Sequence, residues 1–129
     1  MKKIILILIV IFVSCNKPNR LKKHENKIKE TLINQKTKSL TLSLDTISSF
    51  QWDELLIAGP YTDLNKISNY HLNGIPNTIK NYDNFILLVF LNKKKGIKYI
   101  NIDRSLIQND IIDGYKIFSK DNSNIIIRK

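Results

Sequence analysis

Seven consecutive apolar residues, 85–91, limit what this chain can fold into more than any other feature. A strand with one wet face alternates apolar and polar residues, so an unbroken apolar run of this length reads as a strand buried on both faces. A basic turn with a glycine follows at 92–96, and then a return strand at 97–102. Together they predict a hairpin with a five-residue turn. The return strand is expected to offer Ile97 and Tyr99 to one side and Ile100 and Ile102 to the other. Any fold that accepts this hairpin must cover two faces.

The other elements are read from period and punctuation. Leu40, Leu42 and Leu44 alternate with Ser39, Thr41 and Ser43, the pattern of a half-buried strand, and 45–49 reads as a turn. A strand within 50–59 ends at Gly59, because Pro60 has no N–H to give a ladder and restricts the residue before it. Thr62 caps a helix over 62–71, with Asp63 in its first turn and Leu64, Ile67 and His71 as its buried edge. Residues 72–84, with Gly74 and Pro76, form the longest irregular stretch and are expected as a mobile loop. Around Leu106 and Ile107 the pattern is ambiguous. Strands 115–119 and 125–128 are expected to pair across 120–124. Earlier in the chain, 20–35 places Leu21, Ile28 and Leu32 on one helical face, with Glu25 supporting Lys29.

The expected class is therefore α+β: an antiparallel sheet of five to six strands with one packed helix, plus an N-terminal amphipathic helix. One ten-residue helix cannot cover both sheet faces. Three arrangements meet that need: the helix from Leu21 to Leu32 lies on the second face, the sheet curls on itself, or an apolar surface receives a partner.

The start of the chain carries a different message. Lys2 and Lys3 precede ten unbroken apolar residues, 4–13, followed by Ser14 and Cys15, the only cysteine. A spanning helix needs about 20 apolar residues, so this run is too short and reads as a cleaved secretory signal. A small residue directly before the cysteine resembles the lipobox of bacterial lipoproteins, with Phe12 where leucine is usual. The resemblance implies cleavage between Ser14 and Cys15, a diacylglyceryl group on the thiol, and an acylated new amino terminus. Two or three fatty chains, each methylene worth about 0.8 kcal/mol, hold a protein on a bilayer without spanning it. The alternatives are an ordinary secretory signal with an incidental Cys15, or an uncleaved anchor. The expected division is 1–14 signal peptide, 15–38 lipid-anchored basic tether, partly helical, and 39–129 a single α+β domain. The expected location is the cell envelope, on the periplasmic face or the cell surface. Modification of Cys15 leaves no thiol for a disulfide.

Net charge is +10. Residues 17–38 hold eight basic side chains against Glu25 and Glu30, a net of +6, whereas 39–129 hold eleven against nine, a net of +2. Positive charge beside an anchor is attracted to anionic lipid. A solvated basic spacer in a chain rich in Lys, Ile and Asn explains the same numbers. Nucleic acid is not an expected partner, because export removes the protein from it and no basic and aromatic interleaving marks the domain.

Residues for chemistry are sparse. There is no metalloprotease, nucleophile-elbow, paired-cysteine or phosphate-loop motif. His24 and His71 stand far apart, and a metal site needs three or four convergent ligands, so no metal or cofactor is expected. The distinctive segment is Trp52-Asp53, an apolar run, and Gly59-Pro60-Tyr61-Thr62. With the short helix and hairpin expected after it, it resembles a segment of small exported bacterial lipoproteins of unknown function over 50–102. The resemblance implies a fold type and an envelope location but no activity. Trp52, Asp53 and Tyr61 are the candidate binding residues, although core and rim packing also accounts for the two aromatics. The expected role is a binding or interaction module that offers a sheet edge or apolar groove to an envelope protein, peptide or glycan. The alternative is a small envelope hydrolase with acids drawn from Asp53, Glu54, Asp63 or Asp83.

Overall fold

The computed structural model describes residues 17–34, 39–44, 50–106, 114–122 and 124–128. The chain is α+β. In order it forms β1 (Asn19–Arg20), α1 (Lys22–Asn34), β2 (Ser39–Ser43), β3 (Glu54–Ala58), β4 (Phe85–Asn92), β5 (Lys95–Asp103), β6 (Tyr115–Ser119) and β7 (Asn124–Arg128). The main sheet has the order β1-β5-β4-β3-β6, and β2 pairs with β7 in a separate two-stranded sheet. All pairings are antiparallel except that of β1 with β5, so the main sheet is mixed rather than purely antiparallel.

The apolar run becomes β4, in the middle of the sheet, and is buried on both faces as its composition demands. Ile86, Leu88 and Phe90 face one core with Leu55, Ile57, Ile100 and Trp52. Leu87, Val89 and Leu91 face a second core with Leu56 and Ala58. Burial of each such side chain is worth about 1.5–3 kcal/mol. The first core is covered by α1 through Ile28, with Leu21 packed at its edge, and by Leu44. The second is covered by the irregular segment between β3 and β4, through Leu64, Ile67, Leu72, Ile75 and Ile79.

Several expectations change here. Residues 62–71 do not form an α-helix; the chain makes a single 3-10 turn at Leu64–Lys66 and leaves it at Ile67 in an extended conformation. Side chains take over the backbone groups a helix would have paired: the Asn77 Oδ1 accepts from Leu64 N at 2.9 Å, and the Asp63 Oδ1 accepts from Asn65 N at 3.1 Å. Leu64 and Ile67 are buried as expected, but His71 is exposed and Leu72 takes the inward position. Residues 72–84 hold a 3-10 turn at Asn77–Asn81 and are a cover rather than a loose loop, since Leu72, Ile75 and Ile79 are buried.

The first hairpin is present, with a tighter turn than expected. Asn92 opposes Lys95, and only Lys93 and Lys94 lie between them, with φ of 48° and 64°. Positive φ at both central residues matches the twist of paired strands. Leu91 opposes Gly96 while Phe90 opposes Lys98, which leaves Ile97 as a bulge. The bulge reverses the alternation, so Ile97 joins the core of Ile100 and Ile102, and Tyr99 packs on the other face. The second expected hairpin does not form. β6 pairs with β3, with Ile117 opposite Leu56 and Phe118 opposite Leu55, while β7 pairs with β2.

Asp63 ties the cover together. Its Oδ1 accepts from the Asn77 side chain at 2.8 Å, and its Oδ2 lies 3.1 Å from the Lys80 ammonium. These contacts, the Asn77 hydrogen bond first and then Lys80, hold its carboxyl below the usual carboxylate range. A depressed folded value means that this contribution to stability is complete above the unfolded pKa, about 3.9, and is lost as pH falls through the folded value. Urea midpoints measured at successively lower pH are expected to fall more steeply for the native chain than for Asp63→Asn. Equal slopes would show that Asp63 is not linked to folding.

Candidate functional site

β1 is only two residues long, so it covers the outer edge of β5 at Lys98 and Tyr99 and no further. The chain then leaves the sheet: Leu21 N donates to Tyr99 O at 2.9 Å, and α1 begins. The uncovered part of the edge is met by a side chain. Glu25 Oε1 accepts from Asn101 N at 2.8 Å and from Arg20 Nε at 2.8 Å. With its side chain 12% exposed, this carboxylate joins β1, α1 and β5 at one point. The helix-surface pair expected with Lys29 gives way to these bonds, because an edge N–H away from water needs an acceptor.

Beyond Glu25 the gap between α1 and β5 remains open as a cleft of about 330 Å³. Arg20 of β1 with Glu25 and Lys29 of α1 line one side, and Asn84, Asn101 and Asp103 the other. Ile28, Phe85 and Ile102 supply its apolar surface. Asp103 accepts from Ser105 N at 2.9 Å and Ser105 Oγ at 2.7 Å. Those bonds hold its carboxyl below the usual range, and the charge of Lys29 acts in the same direction. Glu25 in turn raises the Arg20 guanidinium. The cleft thus presents opposite charges beside amides on an apolar floor. Asn101, one of its lining residues, also carries the one buried side-chain polar atom without a hydrogen-bond partner among the described residues, Oδ1.

The candidate binding residues lie elsewhere. Trp52 is buried in the first core, edge-on to Phe90 with centroids 5.1 Å apart, and the Lys120 ammonium sits 5.0 Å over its ring. Asp53 braces the tight turn: its Oδ2 accepts from Lys93 N at 3.1 Å and its carbonyl from Lys120 N at 2.8 Å. Tyr61 stands past the other end of β3, 64% exposed, with φ of 62° and its N–H bonded to Ile79 O. Five strand residues separate Asp53 from Ala58's far side, about 17 Å, so the three do not form one site.

The four candidate acids are likewise spread. Asp53 serves the turn, and Asp63 serves the cover. Glu54 lies against Tyr70, whose hydroxyl is pushed up first by burial and then by the charge of Glu54. Asp83 is exposed in the connection before β4. Cys15 lies outside the described residues, as do the signal segment, the turn expected at 45–49 and Ile107, while Arg104–Leu106 forms a 3-10 turn. Among the described residues, no three His, Cys, Asp or Glu side chains are placed to hold a metal, and no helix is long and apolar enough to cross a membrane. No family model, curated protein or solved structure matches the chain.

Arg20, Asn101 and Asp103 carry no motif, and the Glu25 and Lys29 spacing pointed to helix stability rather than to a cleft. Removing the Glu25 carboxylate is expected to be costly, because it leaves Asn101 N without its acceptor and Arg20 without its partner. Glu25→Ala should lower unfolding free energy by about 1–3 kcal/mol in urea titration. An unchanged midpoint would mean that the three elements are joined without it.

Proposed function

We infer that the protein is a lipid-anchored binding module of the bacterial cell envelope, attached through Cys15, with the cleft beside α1 as its ligand site. The reading of residues 1–15 supports the anchor: a basic start, a short apolar run and a Ser14-Cys15 pair. It also accords with a resemblance to small exported lipoproteins over 50–102.

The observation that carries binding over hydrolysis is that the candidate acids stand apart: Asp53 braces a turn, Glu54 lies against Tyr70, Asp63 ties the cover and Asp83 is exposed. A general acid at neutral pH needs a carboxyl pushed upward, near its working pH. Asp103 is pushed downward by Ser105. It stays ionised, suited to hold a ligand's donor rather than to give up a proton. Paired charges, amides and an apolar floor suit a polar ligand with N–H or O–H groups, as in a peptide or glycan.

Radiolabelled palmitate should enter the native protein and be absent from Cys15→Ala; equal labelling of both would end the anchor reading. For the cleft, a photo-crosslinking residue at Asn26, which also lines it, should give a discrete adduct in intact cells that disappears on Lys29→Glu. A chain with no such adduct would not be using the cleft as proposed.

A further inference from the structure

The first described residue is Lys17, two positions after Cys15 and so at most about 7 Å of chain from it. β1 runs parallel to β5 with Asn19 opposite Lys98 and Arg20 opposite Tyr99. Going back from Asn19, the chain therefore heads toward the start of β5, at Lys95. Pro18 is held there: a Cβ on Gly74 would come within 2.7 Å of its Cδ. The segment containing Gly74 is itself joined to the start of β5, because His71 bridges Lys95, donating to Lys94 O and accepting from Gly96 N. The exit toward Cys15 and the tip of the β4–β5 hairpin thus lie at the same end of the sheet.

That tip is three consecutive exposed lysines, Lys93, Lys94 and Lys95. Lys93 and Lys94 occupy positive φ, which glycine and asparagine adopt more readily; the Lys94 ammonium lies 5.5 Å over the Tyr70 ring, and Lys93 and Lys95 are exposed beside it. Exposed Lys17 lies at the same end, as does Lys120, whose ammonium is placed over Trp52. The acids near them are Asp53, Glu54 and Asp121. Asp53 is turned back to hold the Lys93 N–H, and Glu54 lies against Tyr70, so the positive charge leads at the tip.

We propose that the lysine tip of the β4–β5 hairpin docks on anionic phospholipid headgroups beside the acyl anchor and holds the domain upright on the bilayer. This rests on attachment through Cys15. Flexible point charges suit a fluid headgroup layer. Docking there directs the cleft away from the membrane, since Asp103 lies eight residues along β5 from Lys95, about 26 Å. The lipid, a pinned exit at Pro18 and the charged tip then define one orientation.

The single tryptophan, Trp52, next to the residue that braces the tip, is a built-in reporter. Full-length protein purified from cells with its lipid is placed on vesicles containing dansyl-labelled headgroups, and energy transfer from Trp52 is measured. Transfer should be higher on phosphatidylcholine–phosphatidylglycerol vesicles than on phosphatidylcholine alone, and should fall on adding salt. The triple variant K93N/K94N/K95Q, with asparagines that tolerate the turn, should abolish the difference. Each lysine removed should cost about fivefold in the docked-to-free ratio, on the order of 100-fold for three. Equal transfer on both vesicles, insensitive to salt, would overturn docking, and the salt arm decides even if the variant fails to fold. Failure to float with uncharged phosphatidylcholine vesicles would overturn the anchor and the proposal with it.

Discussion

The strand β4 needs cover on both faces, and the rest of the structure answers to that need. Residues 86–91 are 3% exposed or less. Their burial amounts to on the order of 10 kcal/mol, comparable with the net stability of a whole domain. One face receives a helix, the ordinary solution. The other receives a run of irregular chain, workable only because its polar groups are tied locally by Asp63 and Asn77 while five apolar side chains reach the sheet. Two 3-10 turns, Leu64–Lys66 and Asn77–Asn81, place these residues where a regular helix would have turned some of them outward.

The segment after Cys15 is part of the folded domain. Of the three arrangements expected for covering the sheet, the one with the helix laid on a face holds: residues 19–34 supply the edge strand and the helix that covers the first core. Glu25 is the junction, one carboxylate answering a guanidinium on β1 and a backbone N–H on β5. Because β1 stops after two residues, the remaining edge of β5 is not closed by a strand, and the space left between strand and helix is the cleft. The cleft thus arises from the short stretch that follows Cys15 in the chain, where β1 ends and α1 begins.

Legibility in the sequence followed locality. Strands with strong period or unbroken burial, such as β2, β3, β4 and β5, are written in adjacent residues and are where they were expected. The candidate site was not visible in the same way. Trp52 and Asp53 drew attention as a rare pair, yet Trp52 is occupied by Phe90 and Asp53 by a turn. The cleft is lined by Arg20, Lys29, Asn101 and Asp103, which are ordinary surface types separated by some eighty positions and gain meaning only when α1 is laid along β5.

By itself the sequence determined the apolar strands, the helix after residue 20 and the signal-like start, because each rests on side-chain chemistry and period within a short window. Only the tertiary structure decided which strands meet, since β6 chose β3 and β7 chose β2 although β6 and β7 are neighbours in the chain. It also decided that a bulge at Ile97 reverses the faces of β5, that 62–71 is not a helix, and that the lysines of a turn lie beside the exit toward Cys15. Pairing, register and convergence depend on hydrogen bonds and burial between residues far apart in sequence, and no local pattern specifies the partner that satisfies them.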